Sequence, residues 1–363
     1  MIIGVPREIK IGETRVSMTP SLCRRAVSLG ARVLVEKSAG SSAGFLDAEY
    51  RAAGATLTSS AEKVWRSADL VLKVKEPLPA EYSLMQKGQA LFTYLHLAAG
   101  AGLAKELCQR RILGIAYETV EGGDGSYPLL KPMSHIAGRL SIQIGAYFLQ
   151  TQYGGSGVLL GGIPGTAPGH VVVVGAGNAG AHAVRMAAGI GARVTVLDLD
   201  MRKLENLDQE YRGKVITLMS NPANIEAEVA AADLLIGAVL IPAAKAPIVV
   251  TQKMVGQMRP GSTIVDIAID QGGCIATIRP TSHKEPVYRH HGVIHYAVPN
   301  MPALVGRTST IGLTQATEPY VAMIVQKGVE RAIQEHPGLA AGVNTRDGHI
   351  INDEVVKAVG FDS

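Results

Sequence analysis

Residues His170 to Gly180 constrain the fold of this chain more than any other stretch. Four consecutive valines, Val171 to Val174, run into Gly175 and predict a strand buried on both faces, as parallel sheets require. Gly175, Gly177 and Gly180 give the spacing G-x-G-x-x-G, and Ala181 to Met186 continue with apolar residues at helical spacing. Each glycine has its own task in such a turn: the tight bend, close approach of backbone to a pyrophosphate, and close packing of helix on strand. The helix start adds free N–H groups and the positive end of its dipole for the anion. The spacing alone is a weak signal, because a glycine-rich turn can serve packing only; the flanking strand and helix strengthen it. A second strand, Arg193 to Leu197, ends in Asp198, roughly 20 residues on, where a dinucleotide fold places its ribose acceptor. A carboxylate there accepts from a 2′-hydroxyl and repels a 2′-phosphate, so the expected cofactor is NAD rather than NADP.

With 363 residues the chain has room for about two domains. Only 4% of residues are aromatic and 41 are glycine, which fits aliphatic α/β packing with many tight turns. Upstream of the glycine motif, strand and helix alternate. Ile2–Val5 reads as a strand, Thr19-Pro20 as a helix N-cap with proline at the first position, and Ala31–Glu36 as a strand. A short helix over Ser60–Ser67 precedes strands at Asp69–Lys75 and Ala90–Leu95; a helix at Gly102–Arg111 leads to a strand at Ile112–Glu118. This predicts a second doubly wound parallel sheet, without a glycine fingerprint and so without the dinucleotide. A helix follows over Ser134–Gln150, then a Gly/Pro-dense ordered loop to Gly169, and further strands near Val215–Leu218, Asp233–Val239, Thr263–Ile267 and Val293–Ala297. From Ala303 to His336 the pattern is one long helix with no stop before His336-Pro337-Gly338. The expected fold class is therefore α/β with two doubly wound domains. Residues 129–306 form a Rossmann domain inserted into a discontinuous substrate domain of residues 1–128 and 307–363.

The formal charge of +4 has no basic block behind it, which speaks for solubility rather than nucleic-acid binding. Cys23, Cys108 and Cys274 are odd in number and far apart, which points to a reducing compartment. Neither a signal-peptide core nor an apolar run of bilayer length is visible, so a cytoplasmic, membrane-free protein is expected. His135, His290, His291 and His295 lack metal-ligand spacing, and no metal is expected.

Ligands of open α/β sheets bind beyond the carboxyl ends of strands, and several ionisable residues fall there. Arg15 follows the first strand, Lys75 closes Asp69–Lys75, His96 closes Leu91–His96, and Asp270 ends Ile264–Asp270 before Gln271-Gly272-Gly273. Taken singly, each has an ordinary alternative: Arg15 a solvated loop arginine, Lys75 a surface lysine sharing a strand face with Lys73, Asp270 a turn former. Cys274 reads as a buried thiol. Together the four form a coherent set. A guanidinium clamps a carboxylate bidentately, an ammonium polarises a carbonyl or imine, a histidine titrating near neutrality moves protons, and an aspartate orients water or an amine. That is the equipment for hydride transfer at the α-carbon of a 2-amino or 2-hydroxy acid, with the groups meeting across a cleft.

At these residues the chain resembles the bacterial NAD-dependent alanine dehydrogenases of the alanine dehydrogenase/transhydrogenase N-terminal family. The matching stretches are Gly4–Lys10 with Glu13–Val16, Leu72–Pro77, Phe92–His96, Lys131–Ser134, Asp266–Gly273, Asn300–Pro302 and Arg307–Thr310, which together span nearly the whole chain in order. The resemblance implies interconversion of L-alanine with pyruvate and ammonia. It implies that Arg15 and Lys75 bind substrate and that His96 and Asp270 are catalytic. It places Ser134, Asn178, Ala179, Asp198, Lys203, Ser220, Val239, Leu240, Ile267, Asp270, Arg279, Val298, Asn300 and Met301 at the NAD site with Gly175, Gly177 and Gly180, and it implies a homohexamer. Two departures stand out: Ala176 where many relatives carry glycine, and Lys203 where many carry arginine. As a point charge, Lys203 does not offer a bidentate contact. The residues leave open a transhydrogenase nucleotide-binding subunit, a dehydrogenase of a larger amino acid, or a non-enzymatic NAD-binding protein.

Overall fold

The structure is a computed structural model and describes residues 1–239 and 246–360. It divides into two compact units, Met1–Met133 with Ala303–Ser363, and Ser134–Pro302.

The first unit is built on parallel strands β1 (Ile2–Val5), β2 (Arg32–Glu36), β3 (Thr56–Thr58), β4 (Leu70–Leu72), β5 (Ala90–Thr93) and β6 (Leu113–Ala116). Their spatial order, β6-β5-β4-β1-β2-β3, reverses direction between β1 and β4. Connections leaving those two strands diverge to opposite faces, so their carboxyl ends open a crevice. Local chemistry sets the elements. Thr19 accepts the Leu22 N–H at 3.2 Å and Pro20 starts the helix Pro20–Ser28. Gly4 is required in β1 because a Cβ there would lie 2.7 Å from that of Ala68.

The second unit carries β7 (His170–Val174), β8 (Arg193–Asp198), β9 (Ile216–Met219), β10 (Leu234–Gly237), β11 (Thr263–Asp266), β12 (Val287–His290) and β13 (Val293–Tyr296). Their order is β12-β13-β11-β10-β7-β8-β9, with the reversal between β7 and β10. Every residue of β7 is buried, as the valine run requires. Beneath one face of this sheet lies an aliphatic cluster that includes Val172, Leu235, Ile264, Val255 and Cys274.

Three features depart from the sequence reading. Neither sheet is wholly parallel. β12 runs antiparallel to β13, while β14 (Val343–Arg346) runs antiparallel to β6 and pairs with β15 (His349–Ile350). The hairpin turns are His291-Gly292 (φ 51° and 76°) and Asp347-Gly348 (φ 52° and 95°), with both residues at positive φ. Asp-Gly between two short apolar-polar runs is the hairpin signal that would have shown the second. The long C-terminal helix is not continuous: Gly328, at φ 80°, breaks it into Gly306–Lys327 and Val329–Glu335. Finally, the strand anticipated over Asp69–Lys75 is only Leu70–Leu72, so Lys73 and Lys75 share no strand face.

Candidate functional site

In the first unit, Arg15, Lys75 and His96 follow β1, β4 and β5 at their carboxyl ends. Neither Arg15 nor Lys75 is solvated as its ordinary alternative would have it. Arg15 is 3% exposed. Its Nε and Nη2 donate to the two carboxylate oxygens of Glu13 at 2.7 and 2.6 Å, its own N–H donates to Glu13 at 2.9 Å, and Nη1 reaches the Met133 sulfur at 3.0 Å. Burial works against the charge, but Glu13 outweighs it and raises the guanidinium pKa above its ordinary value. The pair borders a polar cavity of about 330 Å³ lined also by Glu8 and Ser42.

Lys73 is a buried ion, not a surface lysine. Its Nζ lies 3.1 Å from Glu8 and 2.9 Å from Glu81, and Glu8 also accepts the Val74 N–H at 2.6 Å. The ammonium therefore fixes the backbone that presents the next-but-one residue, Lys75. Burial raises the Glu8 pKa, with Lys73 opposing it.

Lys75 Nζ lies 3.2 Å from His96 Nε2. An ammonium only donates, so Nε2 accepts and a neutral ring carries its proton on Nδ1. His96 sits at φ 49°, ψ 36°, a left-handed conformation unfavourable for a side chain with a Cβ. Glu118 holds it there, accepting the N–H of Leu95 at 3.1 Å and of His96 at 2.5 Å. Burial and then the Lys75 charge lower the imidazole pKa to about 3, against Glu76, while Lys10 and Arg15 add to the fall. The ring still shows 40% of its side-chain surface to solvent. The direction departs from the expectation of a histidine titrating near neutrality and favours the neutral imidazole.

In the second unit the glycine motif has the anticipated shape. Gly175 takes φ 103°, and a Cβ on it would lie 2.6 Å from the Ala238 carbonyl oxygen, across the reversal between β7 and β10. Gly177 precedes the helix Asn178–Gly189 and faces open space, whereas a Cβ on Gly180 would collide with the Gly175 carbonyl. Asn178 and Ala179 form the first turn, aimed where a pyrophosphate binds. Asp198 closes β8 and accepts the Ala176 N–H at 2.6 Å and the Asp200 N–H at 2.8 Å. A carboxylate has about four acceptor sites, which leaves capacity for ribose hydroxyls. Lys203 Nζ lies 3.6 Å from Asp198, so its role here is to pair with the carboxylate. These features fit a dinucleotide.

The other anticipated residues of this unit also gather at strand ends. Ser220 follows β9 and donates its N–H to the Asp198 carbonyl at 2.9 Å. Val239 follows β10, and Leu240 lies outside the described residues. Ile267 and Asp270 sit on the short 3-10 turn Ile267–Gln271 after β11. Asp270 is exposed and faces the Asn300 N–H at 3.3 Å, with Asn300 at φ 61°. Val298 and Met301 are buried nearby in sequence, and Ser134 is in the helix Lys131–Phe148. Arg279 stacks its guanidinium 4.1 Å over the Tyr288 ring. Among the described residues no helix is long and apolar enough to cross a membrane.

Sequence reasoning missed the carboxylates beside these groups. Glu13 orients Arg15, Glu8 secures the backbone before Lys75, Glu118 holds His96, and Asp266 is buried under the turn that carries Asp270. The signal available was an acidic residue close after a strand end, as Glu8 follows β1 and Glu118 follows β6; that Glu118 serves His96, 22 residues away, had no local signal.

Comparison with known proteins is consistent along the whole chain. Residues 4–137 match the family "Alanine dehydrogenase/PNT, N-terminal domain" and residues 141–353 match "Alanine dehydrogenase/PNT, C-terminal domain". The chain is 52% identical to an alanine dehydrogenase of Methanococcus maripaludis, over 99% of this chain and 96% of that one. It is 51% identical to one from Bacillus subtilis, over 100% and 96%. A solved L-alanine dehydrogenase superposes with a TM-score of 0.96 at 50% identity, covering 99% of both chains. A transhydrogenase from Sinorhizobium meliloti, at 22% identity and a TM-score of 0.83, shares the fold.

Proposed function

Because the chain belongs to the alanine dehydrogenase/PNT family, we propose that it oxidatively deaminates L-alanine to pyruvate and ammonia with NAD, and catalyses the reverse reductive amination. The observation that carries this reading is identity above half, over the full chain, to proteins named alanine dehydrogenase. The charged set of the first unit supports it independently, since a merely nucleotide-binding protein has no use for Arg15, Lys75 and His96 gathered at three strand ends.

In this reading the second unit holds the dinucleotide, with its pyrophosphate over Gly177 and Asn178 and its ribose on Asp198. NAD, when bound, supplies the hydride acceptor. Arg15, kept charged and oriented by Glu13, engages the substrate carboxylate and so fixes the α-carbon. Lys75 donates to the carbonyl oxygen of pyruvate, withdrawing electron density from the carbon. During deamination an imine must gain water and lose ammonia. Neutral His96 takes the proton from the attacking water and returns one to the departing amine. Asp270 orients the amine. Overall, alanine and water lose a hydride and a proton to give pyruvate and ammonium.

The family resemblance also supports assembly as a homohexamer and a cytoplasmic location. The test is NADH consumption with pyruvate and ammonium, then NADH formation with a panel of amino acids at alkaline pH. Turnover of alanine with NAD as sole cofactor is the expected result. Failure with alanine but turnover of a bulkier amino acid would move the assignment to another substrate. No turnover with any amino acid, despite NADH binding, would overturn it.

A further inference from the structure

The turn that carries Asp270 is closed by one side chain. Asp266, the last residue of β11, is fully buried, with no exposed surface. Its Oδ1 accepts the Ala268 N–H at 2.9 Å, at the start of the turn, and its Oδ2 accepts the Cys274 N–H at 2.8 Å, beyond the end. The Cys274 thiol lies 3.8 Å from Oδ1. The surroundings are built around this carboxylate. A Cβ on Gly273, at φ 80°, would lie 2.8 Å from Oδ2, and one on Gly237 would lie 3.1 Å from Oδ1. Ile278 Cγ2 and the Cys274 sulfur would lie closer still to those two Cβ positions, so both are bare where the carboxylate and its packing meet. Gly272, at φ 94°, completes the reversal of the chain.

Backbone bonds also close the turn, the Gly273 N–H on the Ala268 carbonyl at 3.0 Å and the Gly272 N–H on the Ile269 carbonyl at 2.9 Å, but Asp266 is the side chain that anchors both ends to the end of β11. Asp270 itself is exposed, and the Asn300 N–H lies 3.3 Å from its carboxylate. An exposed carboxylate on a short turn keeps its place only as well as the turn does, and small misplacements of a catalytic group cost rate steeply.

We infer that Asp266 is a positioning residue for the reaction: by clamping the amides of Ala268 and Cys274 it sets the turn that presents Asp270. The inference rests on the reading of Asp270 as a group that meets the substrate amine. Replacing Asp266 by Asn leaves one acceptor oxygen for two amides, so one end of the turn is released. The turn can then shift while β11 remains in the sheet.

The decisive measurement is a double-mutant cycle on kcat for reductive amination of pyruvate, using Asp266→Asn, Asp270→Asn and the double variant. NADH binding by fluorescence titration and thermal unfolding accompany it. If Asp266 works through Asp270, Asp266→Asn lowers kcat about 10- to 100-fold. NADH affinity stays within a few-fold, and adding the substitution to Asp270→Asn lowers kcat no further. Multiplying losses in the double variant would overturn the inference, since a general structural role adds independently. Unchanged kcat in Asp266→Asn would also overturn it. Asp266→Ser, whose hydroxyl accepts one amide, serves if the Asn variant does not fold. Failure of both to fold would show a stability role and overturn the proposal. An unaltered protein that does not reduce pyruvate at all would instead fault the assigned activity, which the first arm of the cycle reveals separately.

Discussion

The carboxylate of Glu118 accepts the backbone N–H of His96 at 2.5 Å, and His96 adopts φ 49°, a conformation residues with a Cβ avoid. The two facts belong together. An unfavourable backbone persists when its surroundings over-determine it. Here the same Glu118 side chain also accepts the N–H of Leu95 at 3.1 Å, so two amides are anchored by one half-buried acid. Glu118→Gln keeps one carbonyl acceptor and removes the charge. We expect kcat to fall about tenfold or more through loss of His96 placement, with stability lowered by about 1–3 kcal/mol. NADH affinity should hold, because the nucleotide groups lie in the other unit. Steady-state kinetics with chemical denaturation checks this; unchanged kcat would separate the backbone strain from function.

His96→Ala should lose mainly kcat, by about 10²- to 10⁴-fold, as expected of a proton-transfer group. The pH behaviour follows from the lowered pKa of the ring. Between its folded value of about 3 and the ordinary 6.5, the unfolded chain binds the proton and the folded one does not. Stability therefore rises with pH across that window and is flat with respect to His96 above it. His96→Gln should remove part of that slope. Thermal unfolding from pH 4 to 8 for both proteins is the measurement, and parallel curves would contradict the lowered value.

Asp198→Ala tests the cofactor assignment. It deletes the ribose acceptor, and with it the partner of Lys203 and of the Ala176 amide. NAD should bind about 10- to 100-fold more weakly, with discrimination against NADP relaxed because the repelling charge is gone and Lys203 remains. KM values for both cofactors decide it. An unaltered preference would place the ribose elsewhere.

Lys73 gives a prediction about stability alone. Lys73→Met leaves Glu8 and Glu81 buried without their cation, and breaking such a cluster from one side costs about 3–5 kcal/mol. Replacing all three with apolar residues of similar volume should recover most of the loss, though kcat should not return, because the Val74 amide next to Lys75 then lacks its acceptor. Denaturant unfolding of both variants distinguishes this from a surface lysine, for which no more than a few tenths of a kcal/mol is expected.

Whatever depends on local periodicity and short spacing was legible along the chain. Val171–Val174 before Gly175, Gly177 and Gly180 specified a buried strand, a turn and a helix start, because each requirement is met within a dozen residues. The same holds for Asp198 at a strand end, for the Thr19-Pro20 helix start, and for the placing of Arg15, Lys75, His96 and Asp270 after strands. The ends of the sheets were less legible: β12, β14 and β15 are short, partly polar strands, and the pairs β12–β13 and β14–β15 are set by hairpin turns rather than by alternation. Only the tertiary structure decided which charges are buried and with whom. Lys73 reads as solvated until Glu8 and Glu81, remote in sequence from one another, are brought to it. His96 reads as a group titrating near neutrality until burial, and then the Lys75 ammonium 3.2 Å from its ring, favour the neutral form. The physical reason is common to both: a charge's energy depends on distance and on exclusion of water, and neither is encoded in neighbouring residues along the chain.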